Sequence, residues 1–242
     1  VVTEEQMKRS TTSEQQPAAP TEGEALRLRI DGRKGLTAEA VAAVTAICDS
    51  AEDGAGPGKV IVEVSGAPEA AWRTDLTVSL VSKWERALRR LERLPAATIA
   101  VADGDCGGLA LDAMLAADYR IATGTVRLVV PVGDGTAWPG MAIYRLAQHG
   151  AHTAAIRRAV LFGTPIAAAD AVALHLVDEL AADPAAALAL AAERGGAVTG
   201  TELAIRRQLM VDATVTSFDE ALGVHLAACD RTLRRAAVGA CS

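Results

Sequence analysis

The stretch from Pro95 to Ala122 limits what this chain can fold into more than any other. A short run of β-forming residues, Thr98, Ile99 and Val101, reaches a turn signal at Asp103-Gly104. Two glycines, Gly107 and Gly108, follow, then a segment of Ala, Leu and Met that reads as a buried helix closed by Asp118, and a second strand begins at Tyr119. The first N–H groups of a helix have no intrahelical partner, and the aligned peptide dipoles add partial positive charge there. A strand that passes through glycine into a helix can therefore hold a phosphate or a developing oxyanion. The same glycines also suit a plain tight turn, so the pattern by itself leaves both readings open.

The rest of the chain must supply a core for this unit. It has 242 residues, enough for one sizeable domain with an appendage. Half of them are hydrophobic but only 3% are aromatic, so the core must be built from Ala, Val and Leu. The formal net charge is −6, and no basic stripe with stacking aromatics is present, which argues against nucleic acid. No apolar run approaches the ~20 residues of a membrane span. No signal-peptide core precedes the domain, and a cytoplasmic location without membrane contact is expected. Cys48, Cys106, Cys229 and Cys241 lack zinc-ligand spacing and read as free thiols.

Residues 1–23 are polar, contain Pro17 and Pro20, and read as a disordered leader. Residues 24–180 then read as an α/β core and 181–242 as a helical C-terminal region. Leu26, Leu28 and Ile30 alternate with Arg27 and Arg29, a half-buried strand. Thr37 caps a helix carrying Val41, Val44 and Ile47, residues 54–58 form a loop, and residues 59–64 form a second strand. A long amphipathic helix is expected over residues 75–94, with Leu76, Leu80, Trp84, Leu88 and Leu91 inward, Arg86, Arg89, Arg90 and Arg93 outward, and Pro95 as its stop. A strand over 126–130 leads into a loop over 131–140, and further helices are expected over 141–148, 151–161 and 167–174. An extended segment over 175–180 precedes three helices, at 184–194, 201–211 and 217–238.

Leu94-Pro95, Ala100-Val101, Gly104, Gly107-Gly108, Asp118, Ile121-Ala122, Pro131, Pro139-Gly140, Arg145-Leu146 and Leu161–Ile166 through Val177 together resemble the crotonase, or enoyl-CoA hydratase/isomerase, superfamily. The resemblance spans nearly all of residues 25–238. It implies a spiral of ββα units, C-terminal helices that make trimers, and acyl-CoA thioesters as substrates, with no further cofactor and no metal. It also implies an oxyanion hole of two backbone N–H groups, which by position belong to Trp72 and Leu109. Both are bulkier than the family's usual small residues. Gly107, Gly108 and Val132 fall against the substrate.

The family's hydratases use two glutamates. By position the first falls on Asp112, an acid shorter by one methylene, and the second on Val132, which cannot transfer a proton. Asp134, in a glycine-flanked loop two residues on, is the candidate replacement. Asp112 is alternatively a charge favoured by the helix dipole, and Asp134 an ordinary turn residue. His149 and His152 are spaced for a metal, but Gly150 between them favours a helix break. Cys106 reads as a small buried residue.

Two functions compete. The first is hydration, dehydration or isomerisation of an acyl-CoA or polyketide thioester through an enolate, with Asp112 and Asp134 as acid/base groups. Within the superfamily the chain is most similar to the accessory crotonase-type proteins of 3,5-dihydroxyphenylglycine assembly in glycopeptide-antibiotic pathways. These act beside a type III polyketide synthase in making 3,5-dihydroxyphenylacetyl-CoA. The second is a catalytically impaired partner that stimulates such a synthase or docks to a homologous crotonase. For either, the apolar face of the last helix (Phe218, Leu222, Leu226, Leu233) points to a trimer-based homo-oligomer.

Overall fold

The computed structural model describes residues 25–53, 58–69, 72–73, 75–133, 135–150, 154–194 and 199–240. The leader expected over 1–23, most of the loop at 54–58, Asp134 and His152 lie outside the described residues.

Strand β1 (Leu26–Asp31) buries Leu28 and Ile30 and turns Arg27 and Arg29 toward Glu63. Helix α1 (Ala38–Glu52) starts where Thr37 Oγ1 accepts from the Ala40 N–H at 3.3 Å. Strand β2 (Lys59–Gly66) pairs in parallel with β1. Helix α2 is Val78–Leu91, shorter at both ends than the 75–94 expected. Thr77 caps it through the Leu80 N–H at 3.2 Å, while Leu76 N–H closes a turn onto Arg73. The chain leaves the helix at Glu92, before Pro95 can act as its stop. Trp84, Leu88 and Leu91 form the inward face.

Strand β3 (Ala97–Gly107) corrects another expectation, since it does not end at Asp103-Gly104. It runs on to Gly107 through a bulge: Ser65 pairs with Asp103, but Gly66 pairs with Cys106. Gly104 sits in the bulge at φ 62°. The Asp103 carboxylate accepts from the hydroxyls of Thr123 (2.6 Å) and Thr125 (3.0 Å), which satisfies it inside a sheet. Beyond the bulge β3 changes neighbour. It pairs with β4 (Tyr119–Thr123) along Ile99–Ala102 and with β5 (Arg127–Val129) along Asp105–Gly107.

Helix α3 (Leu109–Leu115) lies between β3 and β4. The stretch expected as an irregular loop over 131–140 contains a small hairpin, β6 (Val132–Gly133) with β7 (Thr136–Ala137). Helices α4 (Met141–Gly150) and α5 (Ala154–Phe162), strand β8 (Ile166–Ala167) and helix α6 (Ala168–Ala173) follow. Strand β9 (Glu179–Ala181) adds to β4 in parallel, and α7 (Pro184–Glu193), α8 (Gly200–Asp212) and α9 (Phe218–Ala240) complete the chain.

The main sheet path runs β1-β2-β3-β4-β9, all parallel, so both faces must be covered. Val60, Val62, Val64, Ala100 and Ala102 meet α1–α3 on one face, and Ile61, Ile99, Val101 and Ile121 meet Ala187 and Ala191 of α7 on the other. The C-terminal region is tied to the sheet by Arg207. It donates to Leu94 O at 2.6 Å, Ala96 O at 3.0 Å and Asp118 Oδ2 at 2.5 Å, while Asp118 also accepts from Thr98.

The ends of β1, β2 and β3 meet at Gly32. A Cβ there would overlap the carbonyl oxygens of Gly66 and Gly107 and come within 2.9 Å of Ala110 Cβ. Gly32→Ala is therefore expected to cost roughly 1–3 kcal/mol, as overpacking does. Urea unfolding measures this, and a variant as stable as the parent would contradict the close approach.

Candidate active site

Gly108 gives α3 its starting point. Its backbone lies at φ 54°, ψ −126°, a region closed to residues with a Cβ, and an added Cβ would press on Pro68 at 3.2 Å. The chain can thus pass from β3 into α3 in a single residue. One turn later, the backbone N–H of Asp112 donates to Gly108 O at 3.0 Å, and its side chain reaches a cleft.

That cleft is walled by α3 (Leu109, Asp112), α2 (Val81, Trp84, Glu85), the β1–α1 connection and the segment at 130–142. Its cavity volume is ≈ 40 Å³, room for a few waters but not for an acyl chain. Two tryptophans account for the narrowness. Trp72 and Trp138 meet edge to face with ring centroids 5.3 Å apart, and both line the cleft. Trp138 is held by its N–H to Pro131 O at 2.8 Å and by folding back over Gly140, which leaves no space for a Cβ.

Asp112 is the polar centre of the cleft. Trp84 Nε1 donates to its Oδ2 at 3.2 Å, and the Ala142 backbone N–H lies on the side that favours the ionised carboxylate. Burial raises its pKa to about 7, and the nearby Glu85 charge pushes the same way. Arg145, the Trp84 indole and the Ala142 amide oppose this without cancelling it. Part of the Asp112 surface faces the cavity, yet the apolar packing around it makes desolvation the leading cause.

Of the other expected residues, Leu109, Gly108 and Trp72 line the cleft. The Trp72 N–H donates to Glu69 O at 3.3 Å, so in this conformation it closes a turn. Gly107 does not reach the cleft wall. It is buried behind it, where a Cβ would meet Ala67 Cβ and Val129 O at 2.9 Å. Val132 is also off the wall: it sits 44% exposed on the β6–β7 hairpin, against Gly163. Cys106 is fully buried, its Sγ 3.8 Å from Met114 Sδ, and desolvation pushes its thiol far above the ordinary range.

Two charged residues of the site were not anticipated in their roles. Glu85 lies on α2 among residues that read as a solvated charged face, yet it lines the cleft beside Asp112. Arg145, 7% exposed, reaches from α4 to Glu85 at 2.9 Å and to Glu92 at 2.8 Å. The available sequence signal was position: Glu85 is four residues after Val81 and three before Leu88, at the edge of the apolar stripe.

No family model matches the chain. A protein of Amycolatopsis orientalis named enoyl-CoA-hydratase is 55% identical over 213 residues, covering 88% of this chain and 97% of that protein. Among solved structures, an enoyl-CoA hydratase/isomerase from Marinobacter aquaeolei superposes with a TM-score of 0.72 at 16% identity, over 89% of this chain and 90% of that one. An enoyl-CoA hydratase from Polaromonas sp. JS666 gives 0.73 at 21% identity, over 91% and 92%. The structural likenesses carry the fold, and the Amycolatopsis relative carries the family: the chain belongs to the crotonase, or enoyl-CoA hydratase/isomerase, superfamily.

Proposed function

We propose that this protein binds an acyl-CoA or polyketide thioester and promotes its dehydration, hydration or isomerisation through an enolate. The observation that carries the reading is Asp112: a carboxyl group in the cleft wall, beside the first residue of α3, with its pKa raised to about 7. A group titrating there can give or take a proton at physiological pH, which an ordinary aspartate cannot do efficiently. The thioester oxygen would lie against the N–H of Leu109, which as the first residue of α3 has no intrahelical acceptor. The Trp72 N–H would join it once released from Glu69 O. For an acyl group to enter, the Trp72–Trp138 contact must part.

Val132, which the family resemblance puts at the position of the second glutamate, carries no acid. Simple addition of water to an enoyl thioester uses two positioned proton-transfer groups, each worth ~10²–10⁴-fold. Unless another carboxylate of the cleft replaces that acid, crotonyl-CoA hydration is expected to be slower than in a two-glutamate relative by about that factor. Dehydration driven by aromatisation needs less of the missing acid. This fits the finer assignment, assistance to a type III polyketide synthase in forming 3,5-dihydroxyphenylacetyl-CoA. The narrow cleft favours a second reading, a partner that stimulates the synthase or a homologous crotonase without turnover of its own. Assays of the protein alone and with such a synthase, on enoyl-CoA and polyketide-CoA thioesters, separate the two. Asp112→Asn should lower turnover ~10²–10⁴-fold; full activity in that variant beside the synthase would leave only the partner reading.

The pH dependence has a definite sign. Asp112 acts as proton donor to the departing hydroxyl, and it holds that proton only below its raised pKa. The rate is therefore expected to fall as pH rises through about 7, and a flat profile from mildly acidic to alkaline pH would contradict the assignment.

The oligomer is part of the same proposal. Phe218, Leu226 and Leu233 on α9, and Met210 and Val215 before it, are 58–80% exposed on the single chain. Such a face is stable in water only when covered, and a second and third copy of the chain are the proposed cover. Light scattering at micromolar concentration should give a multiple of the 24.9 kDa chain mass; a monomer would contradict it.

A further inference from the structure

The cleft contains a second carboxylate that belongs to no expected catalytic position. Glu85 projects from α2 into the same cavity as Asp112. Its Oε2 is shut off from solvent and forms an ion pair with Arg145 Nη1 at 2.9 Å, and neither atom has a well-aligned hydrogen-bond partner. Arg145 spends its Nε on Glu92 at 2.8 Å, and the other Glu92 oxygen takes Arg89, also at 2.8 Å. One buried cation, Arg145, thus serves Glu85 and Glu92 together, and Asp112 forms no ion pair among the described residues. Uncompensated charge in a desolvated site is costly, and the least costly remedy is a proton.

We propose that Glu85 is the second proton-transfer carboxylate of the cleft, and that Glu85 and Asp112 hold one proton between them. The groups facing the pair are Trp84 from the same helix as Glu85, Glu92 at the end of that helix, Arg145 from α4, the buried Cys106 thiol from β3 and Lys34 from the β1–α1 connection. Glu85 is pushed above the ordinary carboxylate range by burial, with Arg145 opposing. Asp112 is pushed up by burial and by Glu85. The Glu85 charge raises Asp112, and because repulsion between two carboxylates acts on both, the two titrate as a pair, in two steps belonging to both.

The pair supplies what the loss of the second glutamate removes. In the dehydration of a β-hydroxyacyl thioester, the ionised member takes the α proton and the protonated member gives its proton to the departing hydroxyl. The products are the enoyl thioester and one water, and the pair still holds one proton, now on the other oxygen. This use of the pair rests on the thioester reading above; the shared proton itself does not.

Carbon-13 NMR of the full-length protein, with labelled Asp and Glu carboxyls and Asp112 assigned through Asp112→Asn, tests it without a substrate. In the unmutated protein both carboxyls are expected to shift over the same pH range, each with two inflections, one of them near neutrality. In Glu85→Gln the Asp112 midpoint should move down toward the ordinary carboxylate range, and in Glu85→Asp it should return upward. Where thioester turnover is measurable, Glu85→Gln should lower kcat about 10²-fold or more, with Glu85→Asp recovering part of it. An Asp112 midpoint unchanged in Glu85→Gln, or a Glu85 resonance silent around neutral pH in the unmutated protein, overturns the proposal. The second result decides even if Glu85→Gln fails to fold, because Glu85→Asp assigns the Glu85 resonance as well. Coupled curves without any thioester turnover support the pair and contradict the thioester reading instead.

Discussion

The site depends on a close backbone approach where the first three strands end. Gly32, Gly66 and Gly107 bring three chain segments so near one another that no Cβ fits at Gly32, and Gly108 then turns the chain directly into α3. A side chain at Gly32 would push β1 away from β2 and β3, and α3 would lose its seat. Because α3 is only seven residues long, it could not hold a fixed position by its own helical stability. Its position is set by burial: six of its residues, Leu109–Leu111 and Ala113–Leu115, are in the core. Asp112 is the exception, and its polarity is tolerated because the cleft begins there.

Small residues allow this geometry. Ala100, Ala102, Ala110 and Ala113 are fully buried, which lets α3 lie tightly against the sheet. The large side chains are placed around the periphery of the cleft instead. Trp84 fills the space beneath Asp112 and gives it a hydrogen bond, while Trp72 and Trp138 narrow the entrance. An apolar enclosure with few polar partners is what moves a carboxyl pKa upward. Packing and proton chemistry therefore have one cause in this cleft.

Much of the fold could be read in the sequence because local signals agreed with the tertiary structure. Thr37 caps α1 as its position suggested, and the alternation of Leu28 and Ile30 with arginines marks the face of β1. The readings that failed did so where distant partners overrode local preference. Asp103-Gly104 is a strong turn signal, but Thr123 and Thr125 satisfy the aspartate and a bulge absorbs the glycine, so β3 continues. The hairpin at Val132–Ala137 was hidden by its glycines and is only two residues long on each side. In the site, Asp112 is reached through the family resemblance, by its position between Gly104 and Asp118. Glu85 is not: α2 is rich in charge, and only the reach of Arg145 from a later helix distinguishes this glutamate from its solvated neighbours.

The central claim is that the corner between β3 and α3, with Asp112 beside it, polarises a bound thioester. Infrared difference spectroscopy of an acyl-CoA labelled with carbon-13 at its carbonyl measures this directly. On binding, the thioester carbonyl band is expected to move to lower frequency than in water, because donors aimed at the oxygen weaken the C=O bond. A ligand that binds with its carbonyl band unmoved, or a protein that binds no acyl-CoA at all, would contradict it.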